Sequence, residues 1–168
     1  MKYLYLLVDL FTVMIPLVFS FHPKIKFYKT WKEFFIAAIA VAIIFITWDI
    51  IFTHLGVWNF NPRYLTGAYF FNLPVEEVLF FICIPFSCVF TYYCLNKFYR
   101  LAWPAAIENI FCIAFSLLLI IAGFTFKDKS YTSVTFFSTA FVCLFLKFIL
   151  KINWFGKAVN VYLILLIP

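Results

Sequence analysis

Thr47–Phe81 reads TWDIIFTHLGVWNFNPRYLTGAYFFNLPVEEVLFF, and it decides the fold. Its first part ends one apolar run and carries Asp49 near the end of that run. A short aromatic and polar connector follows, with Trp58, Asn59, Asn61, Arg63 and Tyr64. Pro74 then opens a second apolar run with Glu76 and Glu77 in its first turn. Two such runs joined by a short connector describe two membrane helices meeting at one face of a bilayer. Asp9, Asp49, Glu76 and Glu77 are among the carboxylates that lie inside or at the edge of apolar runs. Ionisable groups at membrane depth are costly, so each is a functional hypothesis by default.

The rest of the chain follows the same pattern. Apolar residues make up 67% of its 168 residues and charged residues only 12%, and the mean hydropathy is +1.06. Those values exceed what a soluble domain of this length needs for its core. The runs predict an all-α, polytopic transmembrane bundle. Five full spans are expected, roughly Tyr3–Ser20, Phe34–Thr53, Val75–Leu95, Ala105–Phe124 and Tyr131–Leu150, followed by a stump from Val159 onward. Ten residues of helix reach only about 15 Å, so the stump is expected to be a truncated sixth span. Connectors break at Pro23, Pro62, Pro74 and Pro104, and none is long enough for a soluble domain.

The chain therefore reads as a single integral membrane domain. Parallel three-helix repeats are expected within it: residues 1–100 as a first repeat, 101–130 as a linker helix, and 131–168 as an incomplete second repeat. Tyr3 and Tyr131 open corresponding spans, and Trp31 and Trp154 lie in corresponding lysine-bearing connectors. Of 13 Lys and Arg residues, nine follow the first, third and fifth spans: Lys24, Lys26, Lys29, Lys32, Lys97, Arg100, Lys147, Lys151 and Lys157. Lys2, Arg63, Lys127 and Lys129 fall on the other side. The positive-inside rule then places the amino terminus and the Trp58–Asn72 connector outside.

Several function classes are excluded. A net charge of +6 in a membrane chain reports loop orientation and lipid headgroups, not nucleic acid. Tyr3–Ser20 carries Asp9 and Pro16 and precedes further spans, which argues against a cleaved signal peptide. Cys83, Cys88, Cys94, Cys112 and Cys143 form no CxxC, so neither a disulfide framework nor a zinc site is expected. The four glycines make neither GxGxxG nor a P-loop. No metal site is expected, and the scattered His22 and His54 read as polar interface or loop residues. A retinal-type Schiff base has no mid-span lysine to form on.

Helical spacing sorts the carboxylates. Ala38, Ala42, Asp49, Thr53 and Gly56 share one face of the second span, a small-residue face suited to close packing. Glu76, Cys83, Ser87, Thr91 and Cys94 share a face of the third, with Phe80 at its edge. Asp49 and Glu76 are thus expected to point into the bundle, with Glu77 about a quarter-turn from Glu76. Each has a plain structural alternative. Pro74 with Glu76 and Glu77 suits a helix start and its dipole, but an interfacial cap does not need two acids leading into VLFFICIPF. Asp49 has a folding role open to it through Arg63 or His54. Asp9, alone in the first span, is expected to be a structural hydrogen-bonding residue. Trp58, Tyr64 and Tyr69 suit an interfacial aromatic belt; the alternative is that aromatic faces steady a cationic intermediate.

Trp48-Asp49, Gly56-Val57-Trp58, Phe60, the run Leu73–Phe81 and Pro85 spell WDxxxxxxGVWxF…LPVEEVLFFxxxP. This pattern resembles the lycopene cyclase domain of the heterodimeric bacterial and the fused fungal and archaeal type. The resemblance covers the first three spans closely and the remainder loosely. It implies a membrane enzyme that closes β-ionone-type rings on the ψ-ends of lycopene, and it implies Glu76 and Glu77 as the catalytic carboxylates. Asp49 is expected to act with them, Trp48, Trp58, Phe60, Phe80 and Phe81 are expected against the substrate, and no cofactor is expected. Family members carry a second PxE(E/D) in a second repeat, and this chain has none. A partner supplying a second cyclase half, or an oligomer, is the expectation that follows.

The chemistry fits independently of the family. Closing an acyclic polyene end is redox-neutral: a proton adds to the terminal alkene, an internal double bond traps the cation, and a proton leaves. This needs a dry general acid, a base and a cation-tolerant pocket. Desolvation and a like-charged neighbour favour the proton-carrying form of a carboxyl group, while a helix N-terminus favours the anion. A C40 hydrocarbon dissolves in the bilayer, so a site at membrane depth is where it arrives. Two other classes remain open on the residues alone: a non-catalytic membrane subunit or carotenoid-binding partner, and a transporter using paired acids as relays.

Overall fold

The computed structural model describes residues 3–99, 102–153 and 155–166. Lys2 and Arg100 of the orientation count, Trp154 of the repeat signature, and the last two residues of the stump lie outside them. Among the described residues there are six α-helices: α1 (Leu4–Ser20), α2 (Trp31–His54), α3 (Val75–Phe98), α4 (Ala105–Thr125), α5 (Ser130–Leu144) and α6 (Phe155–Leu165). A two-stranded hairpin, β1 (Tyr69–Phe70) and β2 (Leu73–Pro74), precedes α3. The expected all-α bundle is what forms.

Four helical segments are long and apolar enough to cross a membrane: Phe27–His54, Val75–Phe98, Ala105–Thr125 and Ser130–Ile149. Leu4–Ser20 and Phe155–Leu165 are shorter apolar helices. The first run, expected as a full span, makes 17 helical residues, about 25 Å long against a hydrocarbon core of about 30 Å. Burial is inverted relative to a soluble protein. On α1 the buried residues are Asp9, Pro16 and Ser20, while Val8, Phe11, Ile15 and Val18 are exposed. A helix that buries its polar stripe and exposes its apolar one is solvated by lipid.

The chain forms two compact units, Met1–Cys94 and Leu95–Pro168. In the first, Phe27 opens a 3-10 turn ahead of α2 and is 1% exposed. Its ring meets Phe86 and Phe90 edge-on, both at 5.5 Å, and Phe34 meets Phe86 at 5.3 Å. Edge-to-face rings at these separations gain quadrupole attraction beyond burial. On α2 the buried residues are Phe34, Ala38, Ala42 and Asp49; of the small-residue face read from the sequence, Thr53 is half-buried and Gly56 falls beyond the helix end and is exposed. On α3 they are Glu76, Phe86, Ser87 and Phe90, so the aromatic core at the far end of α3 displaces Thr91 and Cys94 to half-buried positions. Ser87 ties α3 to α1 by donating to the Thr12 carbonyl at 2.9 Å.

In the second unit α4 packs along α5. Gly123 allows the close approach, since a Cβ there would stand 2.9 Å from Phe137 Cζ. Ser133 Oγ donates to the Gly123 carbonyl at 3.0 Å. The α-helical hydrogen bonding of α5 ends at Leu144, and a π-turn, Phe145–Ile149, follows. Lys147 in that turn is buried, and its Nζ meets Glu108 Oε2 at 2.9 Å. Glu108 Oε1 accepts from the Gly156 N–H at 2.8 Å. One buried carboxylate in the first turn of α4 thus holds both the π-turn and the first turn of α6. The sequence reading had placed Lys147 at a span end and gave Glu108 no role.

Candidate active site

The connector between α2 and α3 is folded. Helix α2 ends in a Schellman motif: the Gly56 N–H donates to the Thr53 carbonyl at 3.1 Å and the Val57 N–H to the Phe52 carbonyl at 3.0 Å. Gly56 has φ +70°, the left-handed conformation that this cap requires and glycine adopts without cost from a Cβ. The reversal lays Trp58 back on the helix. Its ring stacks on Phe52 at 5.5 Å, Phe52 stacks on Trp48 at 4.7 Å, and its Nε1 donates to Thr53 Oγ1 at 3.0 Å. The chain then makes a short 3-10 turn, Pro62–Tyr64, with the Asn61 side chain accepting from the Arg63 N–H. Leu65 is buried beyond it.

The hairpin registers Tyr69 with Pro74 and Phe70 with Leu73. Its two-residue turn puts Phe71 at φ +55°, a position where a bulky residue is uncommon. Asn72 beside it donates through Nδ2 to the Ile50 carbonyl at 2.9 Å, fastening the hairpin to α2 next to Asp49. The Val75 N–H donates to the Ala68 carbonyl at 3.0 Å. These bonds bury Leu73 and Pro74 completely and fix the first turn of α3.

Glu76 is 2% exposed. Its Oε1 accepts from the Thr66 N–H at 2.6 Å. Its Oε2 is buried with no hydrogen-bond partner among the described residues. One oxygen is therefore anchored by backbone, and the other is a position at which a proton can sit. Glu77 is half-buried and lies within electrostatic reach of Asp49 and Asp9. Asp9 also lies within reach of Glu76. Asp49 is 8% exposed and Asp9 3%. Among the described residues Asp49 pairs with neither Arg63 nor His54. No three of the His, Cys, Asp and Glu side chains among the described residues are grouped to hold a metal ion. Three helices thus bring four carboxylates to one region at a spacing that couples their charges.

The aromatic residues divide. Trp48 and Trp58 join through Phe52, which the sequence reading did not name, into one stack beside Asp49. Phe81 stacks on Phe45 of α2 at 6.0 Å. Phe80 is 41% exposed and turns edge-on to Phe81. Phe60 is half-buried. Trp48 and Trp58 thus meet Phe52, Phe81 meets Phe45, and Phe80 is exposed.

Asp9, expected from the sequence to be a structural hydrogen-bonding residue, is buried on α1 and makes no hydrogen bond among the described residues. The signal was present: Asp9, Pro16 and Ser20 recur at i, i+7 and i+11, one face of a helix, and that face is the buried one.

Apolar helices that bury carboxylates and expose hydrocarbon define the class of an integral membrane protein. The chain belongs to the lycopene cyclase family: the family model described as Lycopene cyclase matches residues 2–95. The match ends within a residue of the first compact unit and contains all four carboxylates. No curated protein and no solved structure matches the chain.

Proposed function

We propose that the first unit carries out proton-initiated, redox-neutral ring closure on the ψ-ends of lycopene, giving β-ionone rings as in γ- and β-carotene. Glu76 and Glu77 supply the proton, Asp49 supports their charge state, and Trp48, Trp58 and Phe81 offer ring faces to the developing cation. The observation that carries this reading is Glu76, held by a backbone amide on one oxygen and left buried and unpaired on the other. A carboxyl group so placed can deliver a proton in one fixed direction inside a dry site. The lipid-facing exterior suits a hydrocarbon substrate that arrives through the bilayer.

A working complex with a second cyclase half or a second copy of the chain is part of the proposal, since the sequence carries a single PxEE. The test is a pigment chromatogram from a lycopene-accumulating host that expresses the chain, with and without a C-terminal cyclase half. Monocyclic or bicyclic carotenoids in either arm are the expected result. Unchanged lycopene in both arms, with the protein present in the membrane, rejects the enzyme in favour of a carotenoid-binding or transport role.

The amino terminus is proposed to lie outside, on the nine-to-four division of basic residues. Asn59 is exposed on the connector. A cysteine in its place is expected to react with an impermeant thiol reagent on intact cells; reaction only after permeabilisation inverts the topology.

A further inference from the structure

We propose that Asp9 of α1 is the proton acceptor of ring closure, taking up the proton that leaves the ring and returning it to Glu76 and Glu77. The inference rests on the cyclase reading above and extends it to a residue outside the PxEE motif.

Asp9 is 3% exposed in a helix whose surface is otherwise apolar. It accepts no hydrogen bond and forms no ion pair among the described residues, so a folding role through polar contacts has nothing to act on. Burying an unpaired carboxylate in apolar surroundings is costly, and such a cost persists where function requires the group. Its surroundings fix its neighbours. The tie from Ser87 to the Thr12 carbonyl sets α1 against α3, and Thr12 is one turn along from Asp9. The groups on α3 that feel its charge are Glu76, Glu77 and Cys83. Asp49 reaches Glu77 from α2. Of the two aspartates, Asp9 is thus the one coupled to both glutamates.

The balance closes without a co-reactant. A glutamic acid gives its proton to the terminal alkene and becomes a carboxylate. The tertiary cation is attacked by the internal double bond, which forms the new C–C bond and moves the positive charge onto a ring carbon. A C–H bond beside that carbon breaks, its electron pair becomes the ring double bond, and its proton goes to the Asp9 carboxylate. Transfer from Asp9 back to the glutamate restores the starting state. The carbon that gains the donated proton and the carbon that loses one are different atoms of the new ring, which suits an acceptor separate from the donor.

The test uses the full chain in a lycopene-accumulating host that also makes a C-terminal cyclase half, which forms no rings by itself. Asp9→Asn keeps the side-chain shape and removes the acceptor; Asp9→Glu keeps the carboxylate. Asp9→Asn is expected to lower ring formation about 10²-fold or more at an unchanged membrane level. Its residual product is expected to shift toward ring isomers that lose their proton at another carbon. Asp9→Glu is expected to keep at least a tenth of the activity. A purely structural residue would lower yield without moving the isomer ratio. Wild-type yield and isomer ratio in Asp9→Asn, or equal inactivity of both variants at normal membrane level, overturns the assignment. Absence of rings from the wild-type chain in the same host refutes the cyclase reading itself, and an active wild type with an unaffected Asp9→Asn refutes only the role of Asp9.

Discussion

Glu76→Gln is expected to lower ring formation by roughly 10²–10⁴-fold, the range for losing a positioned general acid. The amide is nearly isosteric. Its oxygen can still accept from the Thr66 N–H that holds Oε1, so the first turn of α3 keeps its shape and the protein still inserts. What disappears is the carboxyl group's capacity to carry and release a proton at the second, unpaired oxygen. Glu77→Gln is expected to fall in the same range, because Glu77 is the carboxylate that couples to both aspartates. The check is the ratio of cyclic to acyclic carotenoid at matched protein level in the host described above. Near-wild-type ratios in both single variants would remove these residues from the chemistry.

The other large effect concerns stability. Glu108→Ala strips the partner from Lys147 and from the Gly156 N–H together. Removing one member of a buried pair leaves an uncompensated charge and costs about 3–5 kcal/mol. Glu108→Gln keeps an acceptor for Gly156 and is expected to lose less. Replacing both Glu108 and Lys147 with leucine removes the stranded charge and is expected to recover most of the loss, since a hydrophobic substitute for a buried pair is often neutral. Unfolding in mixed micelles by added dodecyl sulfate measures all three. A loss below about 1 kcal/mol in Glu108→Ala would mean that water or lipid headgroups satisfy Lys147.

The sequence carried the helices, the buried face of α2 and the acidic turn of α3, because lipid leaves apolar length and helical spacing as the main constraints. Asp49 and Glu76 could be placed inward by counting along one helix. Asp9 could be placed inward the same way but not joined to the glutamates, since that depends on how α1 meets α3. Lys147 was beyond reach for a different reason. The π-turn changes the angular register of α5, and regular spacing cannot anticipate where the turn falls. The folded connector was also hidden: its bonds from Thr66 to Glu76 and from Asn72 to Ile50 are individual polar contacts with no periodicity. Gly56 is the exception. A glycine just past an apolar run is a readable C-cap, and it explains why Trp58 follows two residues later.

The donor that holds Glu76 at 2.6 Å is a peptide N–H, with the Thr66 hydroxyl as a secondary contact. Every amino acid but proline brings the same peptide group to position 66, so genetic drift there leaves the main hold on the acid in place. A library of substitutions at Thr66 should therefore tolerate wide chemical variety and lose function at a single letter, proline. The position would look unimportant in a survey of variants, although the chain makes one of its most consequential bonds there.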